Sequence, residues 1–411
     1  MVYILDNHGQ PLMPTIRHGK VRHLLKQGKA KVVKSCPFTI QLTYKTENHI
    51  QPITLGVDAG SKVIGLSAST KKRELYSAEV QVRNDIVDLI STRRELRRTR
   101  RNRKTRYRQP RFNNRVKSKH KGWLAPSIEA KIHTHLKIIE DIHNILPIDK
   151  IIVEVASFDI QKIKNPDIEG AEYQQGPQLG FWNVREYVLF RDGHTCQHCK
   201  GKSKDKILNV HHIESRKTGG DSPDNLITLC ETCHKAYHRG EITLKVKRGK
   251  KFNDAAFMGI MRWAFYDKLK ETYPNVSLTY GYITKNTRIT SNLPKEHRVD
   301  ALCIAGNSNA KRLDYYYFQR KIRRHNRQIH KVNPKKGYRR LNQAPFEVFG
   351  FRLFDKVKYK NQECFISARR QSGYFKLIKL DGQIVHESAR HKDIILLNHP
   401  NAFMTEIRAN I

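Results

Sequence analysis

Residues Cys196 to His238 read CQHCKGKSKDKILNVHHIESRKTGGDSPDNLITLCETCHKAYH, and their spacing dictates how this part of the chain must fold. Two Cys-x-x-Cys pairs, Cys196/Cys199 and Cys230/Cys233, can close one tetrahedral thiolate site around a structural Zn2+. A loop-rich stretch too short for its own apolar core needs such a staple. The histidines are then left for chemistry. His211 and His212 are adjacent on an expected strand, so their rings point to opposite faces: one can ligate a metal while the other acts as a base. His234 and His238, at i and i+4, share one helix face. A Mg2+ or Mn2+ ion held by His211, His234 and His238 would keep positions open for a phosphate oxygen and the leaving group. His212 would then deprotonate the attacking water, with Asn225 orienting His212. A zinc ribbon that only binds nucleic acid would need neither the paired histidines nor Asn225.

These residues resemble the HNH endonuclease pattern position by position, which implies a ββα-metal nuclease module on a four-cysteine zinc site. One departure stands out. His211 occupies a place where many HNH domains carry Asp, and an imidazole there shifts preference away from magnesium.

Composition indicates what such a module acts on. The chain has 411 residues, 78 Lys+Arg against 38 Asp+Glu, and a formal charge of +40; its pI is near 10.1. A polyanionic partner follows from that balance, and the length allows two or three domains. Of seven cysteines, Cys36, Cys303 and Cys364 stand alone, which does not make a disulfide framework. No signal peptide or spanning apolar run is present, so the expectation is a cytoplasmic, intracellular protein with no membrane partner.

The positive charge is concentrated. From Arg93 to Lys121, fifteen residues are Lys or Arg and Glu95 is the single acid. Asp85 to Gln109 contains no Pro or Gly, which predicts one helix of roughly 35 Å ending near Pro110. Arg93, Arg94, Arg97, Arg98, Arg100, Arg101, Arg103 and Arg106 surround it, so it cannot pack all round on a protein core. A disordered basic tail would sit at a terminus, whereas an amphipathic helix follows here (Ile128, Ile132, Leu136, Ile139, Ile142). An internal arginine rod suits structured nucleic acid, because guanidinium groups pair with phosphates and stack on exposed bases.

Three acids lie at the edges of apolar segments. Asp58 ends the strand-like run ITLGVD from Ile53, Glu154 interrupts the apolar strand Ile151 to Phe158, and Asp300 shares a predicted helix face with His297. A carboxylate in a buried strand costs several kcal/mol, and a metal is the usual compensation. Together the three resemble a RuvC-like, RNase H-type nuclease split into three segments. That resemblance implies two divalent cations roughly 3.5–4 Å apart on Asp58, Glu154 and Asp300, with His297 near the attacking water.

The order of these parts is similar to that of the IscB family of transposon-encoded RNA-guided nucleases. Pro11-Leu12-Met13-Pro14 matches its PLMP domain, RRELRRTRR from Arg93 to Arg101 its bridge helix, and Tyr173 to Cys199 the approach to its HNH domain. The implied fold is α/β and multidomain: an RNase H-like (RuvC) mixed sheet with helices, an inserted ββα-metal HNH domain with a four-cysteine zinc site, and a small C-terminal β-barrel-like domain. The corresponding segments are 1–52 (PLMP), 53–84 (RuvC-like I), 85–121 (bridge helix), 122–170 (RuvC-like II), 171–245 (HNH with linkers), 246–310 (RuvC-like III) and 311–411 (target and flanking-motif interaction). The resemblance implies a double-stranded DNA endonuclease guided by an omega-type RNA, working as a monomeric protein in a ribonucleoprotein. The HNH site would cut the RNA-paired strand and the RuvC-like site the displaced strand. A protein-guided homing endonuclease or resolvase would use the same sites but needs a DNA reader of its own. A non-catalytic zinc-containing RNA-binding protein would explain the charge and the zinc, but not the three acids with His212.

Overall fold

A computed structural model of the chain describes residues 1–102, 123–155, 181, 183–214, 223–244, 253–323, 331–332, 339–340 and 345–410. The chain divides into two units, Met1–Ala156 with Met258–Ile411, and Ser157–Phe257.

The first unit opens with four strands, β1 (Val2–Leu5), β2 (Pro11–Thr15), β3 (Ala30–Ser35) and β4 (Phe38–Leu42), in the order β2-β1-β4-β3 with helix α1 (His18–Lys26). Val2, Val21, Ala30, Ile40 and Leu42 form its core. The PLMP sequence is strand β2, antiparallel to β1. Tyr3 reaches out of this layer: its hydroxyl donates to the Leu75 carbonyl at 3.0 Å and its ring meets Tyr76 edge-on.

Most of the unit is one seven-stranded mixed sheet. β5 (Thr54–Asp58), β6 (Val63–Ser69) and β7 (Glu74–Gln81) form an antiparallel meander. Helix α2 (Ile86–Asn102) and helix α3 (Pro126–His143) follow, and β8 (Lys150–Glu154) then returns parallel to β5. The strand read from Ile151 to Phe158 therefore ends at Glu154, and residues 156–158 lie outside the described ones. The predicted arginine helix begins at Ile86 and is described as far as Asn102, so Arg103 and Arg106 also lie outside.

The second unit holds helix α4 (Val184–Arg191), β9 (Leu208–His212), β10 (Leu226–Cys230) and α5 (Glu231–His238). β9 and β10 form a two-stranded antiparallel ladder. Asn183 caps α4 by accepting from the Glu186 amide, satisfying an otherwise orphaned donor of the first turn.

The first unit resumes in α6 (Asn253–Thr272), β11 (Val276–Thr279) parallel to β8, α7 (Gly281–Thr290), α8 (His297–Ile304) and β12 (Tyr315–Lys321) parallel to β7. Five strands, β13 (Lys356–Tyr359), β14 (Gln362–Arg369), β15 (Tyr374–Ile378), β16 (Ile384–Arg390) and β17 (Ile394–Asn398), then build an antiparallel sheet in the order β16-β15-β14-β13-β17. Val357, Cys364, Ile366, Phe375 and Leu377 lie in its core. The last strand, β18 (Phe403–Ala409), pairs with β12. The large sheet thus runs β11-β8-β5-β6-β7-β12-β18. The segment 311–411 contains β12 and β18, and both complete the large sheet. Strand pairing over that sequence distance leaves no local trace.

Two glycines fix how α8 lies on this sheet. A Cβ on Gly56 would sit 1.9 Å from the Ala301 carbonyl oxygen, and one on Gly65 would sit 2.0 Å from that of His297. Bare Cα positions on β5 and β6 therefore let the helix backbone touch the sheet. Because strand residues alternate, Gly56 and Asp58 share the face that α8 covers, while Leu55 and Val57, both fully buried, face the other way. Gly56→Ala is expected to displace α8 and cost on the order of 1–3 kcal/mol through overpacking. Gly19→Ala, in open space on α1, should leave stability nearly unchanged. Denaturant midpoints for the two variants check this.

Candidate nuclease centres

The carboxylate centre sits where parallel strands end together. Asp58, Glu154 and Thr279 are the last residues of β5, β8 and β11, and Glu154 and Thr279 are register partners. The carboxyl ends of neighbouring parallel strands form the crevice where α/β sheets usually place a ligand. Asp58 is only 7% exposed. His297, the first residue of α8, donates from Nδ1 to Asp58 Oδ2 at 2.6 Å, and Asp300 follows one turn on in the same helix. The structure thus brings Asp58, Glu154, His297 and Asp300 to one place.

Electrostatics there are those of crowded, partly desolvated acids. Burial, then the Asp58 charge, pushes the Glu154 carboxyl above its ordinary range; the same two causes raise Asp300. The hydrogen bond to Asp58 raises the His297 imidazole, favouring its protonated form. Two arginines that sequence reasoning missed partly offset the negative charge. Arg262 of α6, itself buried, donates from Nε to the Ala59 carbonyl at 3.0 Å and from Nη1 to Glu154 Oε1 at 3.2 Å, with Nη2 3.8 Å from Asp58 Oδ1. Arg288 of α7 pairs with Asp300 through Nε at 2.9 Å. The signal for Arg262 was a lone guanidinium inside the apolar run FMGIMRWAF, from Phe257. Thr284, also on α7, lies near enough to Glu154 to favour its ionised form and partly offsets the upward shift.

In the second unit, the ladder pairs His212 with Leu226 and His211 with Ile227. Alternation buries the His211 ring and leaves His212 partly exposed on the opposite face. His211, His234 and His238 bring ring nitrogens within 4.8 Å of one another, and the Nε2 atoms of His234 and His238 are 3.3 Å apart. His211 Nε2 is buried with no hydrogen-bond partner. An orphaned acceptor beside two more imidazoles fits a cation, because a bound ion would satisfy that nitrogen. Asn225 is fully buried and clamps the backbone just past His212, accepting from the Glu214 amide at 2.9 Å and donating to its carbonyl at 3.0 Å.

Cys196, Cys199, Cys230 and Cys233 bring their sulfurs within 4.8 Å of one another. Lys200 and Gly201, which follow Cys199, are both at positive φ and close the turn, with the Lys200 amide donating to the Cys196 carbonyl. Ser203, unremarked in the sequence, lies 3.4 Å from Cys199 Sγ and 3.1 Å from Cys230 Sγ. Its hydrogen bond is the main cause that lowers the Cys199 thiol to about 6, whereas burial raises Cys233. Four protein thiols at this spacing fit zinc, which takes them as thiolates and leaves no position open. Ile227 and Leu229 pack on the cluster.

On α2, Arg93, Arg94, Arg97 and Arg98 are exposed. The side chains of Arg100 and Arg101 lie outside what is described.

Burial, and then the neighbouring His234, His238 and His212, lower the His211 imidazole from 6.5 to about 4. A depressed folded-state pKa favours the neutral ring, so its contribution to stability is present above the unfolded value and is lost as pH falls toward 4. Histidine-selective NMR of zinc-loaded protein without added magnesium should show His211 neutral through pH 5. Titration of His211 near 6.5 would contradict the buried geometry.

Two family matches agree with this picture. Residues 2–176 match the family described as RRXRR protein, and residues 196–240 match HNH endonuclease. A curated relative, anaredoxin of Nostoc sp. (strain PCC 7120), is 39% identical over 41 residues, covering 10% of this chain and 54% of the relative. Among solved structures, Streptococcus thermophilus Cas9 in complex with AGGA PAM is similar at a TM-score of 0.31 and 16% identity, over 45% of this chain and 26% of that one. The same protein with the AGAA PAM gives 0.32 and 15%, over 51% and 30%. The chain spans about half the length of the curated relative and under a third of the Cas9 chains. The RRXRR segment and the HNH endonuclease domain follow one another in the order of the sequence resemblance, and together they support an IscB-like nuclease.

Proposed function

We propose that the chain is an RNA-guided double-stranded DNA endonuclease with two independent cutting centres. One observation carries this reading: the neighbouring carboxylates Asp58, Glu154 and Asp300 belong to one unit and the clustered imidazoles His211, His234 and His238 to the other, in one chain of charge +40. In this reading the large sheet is an RNase H-like, RuvC-type nuclease fold and α2 is a bridge helix whose arginines hold the guide RNA. The five-stranded C-terminal sheet serves as a barrel-like reader of the target's flanking motif, and RNA pairing supplies the sequence specificity. The protein acts as a monomer in the cytoplasm with its RNA.

Mg2+ or Mn2+ bound at each centre would supply Lewis-acid activation of the phosphate and of water. The chain's residues provide the rest. At the carboxylate centre Asp58, Glu154 and Asp300 would hold the cations, Arg262 fixes the Glu154 side chain, and the raised His297 keeps a proton at Nδ1 toward Asp58. That leaves its other ring nitrogen to orient water for attack on the displaced strand. At the HNH centre His212, on the face opposite the cation ligands, takes the proton from water attacking the RNA-paired strand. Asn225 acts through the Glu214 backbone to set where His212 stands. The four cysteines hold structural zinc and do no chemistry.

Asp58→Ala and His212→Ala should each yield a nickase, on opposite strands, with the affected strand cut on the order of 10²–10⁴ times more slowly. Strand-labelled duplex reports this directly. Loss of both cuts from one single change, with binding intact, would sink the two-centre reading.

Metal preference should separate the centres as well. Magnesium favours oxygen ligands, and His211, His234 and His238 offer only nitrogen. As magnesium is lowered, cutting of the RNA-paired strand should fail first, manganese should restore it, and His211→Asp should narrow the difference. Equal magnesium dependence of the two strands, measured in the nickase backgrounds, would count against this ligand set.

A further inference from the structure

The register that places Thr279 beside Glu154 also decides what comes next in the chain. Tyr280 is the N-cap residue of α7 and Tyr282 lies in its first turn, with Gly281 between them. The inner side of this turn closes on the acid: a Cβ on Gly281 would come within 3.3 Å of Glu154 Oε1, and buried Thr284 lies near enough to favour the ionised carboxylate. The outer side carries the two tyrosines. Tyr280 is 43% and Tyr282 66% exposed, and their rings are parallel to within 11° with centroids 6.1 Å apart. Lys285 is also exposed, one turn beyond Tyr282 on the same helix face.

Two large rings held parallel and open to solvent do nothing for the core. Beside a carboxylate centre on a chain of this charge, they match what unpaired nucleic acid needs: flat π-faces for bases and a cation for the phosphate between them. A duplex offers no such contact, because its base faces are already stacked on one another. We propose that Tyr280 and Tyr282 form a stacking platform that binds an unpaired nucleotide of the single strand presented to the Asp58–Glu154–Asp300 centre, with Lys285 on its phosphate. This rests on the reading of that centre as the one that cuts a displaced strand. It adds the element that would hold the strand in place.

The test uses the full-length chain carrying Asp58→Ala, so that bound strands stay intact. A single-stranded oligodeoxynucleotide containing 5-iodouracil is bound and irradiated, and the crosslinked peptides are identified by mass spectrometry. Crosslinks on Tyr280 or Tyr282 are expected. In parallel, Tyr280→Ala/Tyr282→Ala should weaken binding of a short oligothymidylate by roughly 10-fold for each ring lost. Tyr280→Phe/Tyr282→Phe should retain it, and an abasic strand of equal length should bind both variants alike. Crosslinks confined to other peptides would overturn the proposal, as would equal loss of affinity for the thymidylate and abasic strands. Both readouts are of binding, so their failure leaves the strand-specific nicking results standing. Conversely, a platform that binds beside a centre whose loss spares nicking would show that the cleavage reading is the one at fault.

Discussion

A carboxylate buried at the end of a strand has to be compensated by positive charge, and the arrangement of the first unit around Asp58 meets that requirement. Asp58 lies on a strand with no exposed residues, and the Glu154 strand end is alongside it. The Asp58 charge adds to the cost of ionising Glu154. The surrounding elements supply cations: His297 from α8, Arg262 from α6 and Arg288 from α7. Each comes from an element after the second unit in sequence, so the centre is complete only when the two halves of the first unit meet across that insertion. The glycines on β5 and β6 are part of the same constraint. Without the close approach they allow, the start of α8 would not reach Asp58.

The second unit solves the opposite problem. Among the described residues its core gathers on four cysteines and a two-stranded ladder. The ladder's alternation separates the two adjacent histidines, one inward among His234 and His238 and one outward and accessible. A ligand and a base can then stand side by side in sequence without competing for the same ion.

The two centres differ in kind. Glu154 and Asp300, partly desolvated, bind protons more tightly than usual and offer oxygen, the donor a hard cation prefers, while three imidazoles, with His211 lowered to about 4, offer nitrogen. This contrast gives the proposed strand-specific activities separate handles in metal and pH.

The sequence alone determined the residues whose spacing is local. The Cys-x-x-Cys pairs, the adjacent histidines and the i, i+4 pair His234/His238 are set by turn, strand and helix periodicity, and the structure clusters them as those periods require. Asp58, Glu154, His297 and Asp300 were legible as candidates because each interrupts an apolar segment. What brings them together is pairing between strands and helices more than a hundred residues apart, which no local pattern encodes. Arg262, Arg288, Thr284 and Ser203 were missed for the same reason, since an arginine on a helix has meaning only once the acid it meets is known. The membership of β12 and β18 in the large sheet, and the parallel tyrosines beside Glu154, were likewise decided by tertiary structure. Strand register and helix docking are fixed by the burial of whole faces, and a sequence read in short windows does not reveal which faces will meet.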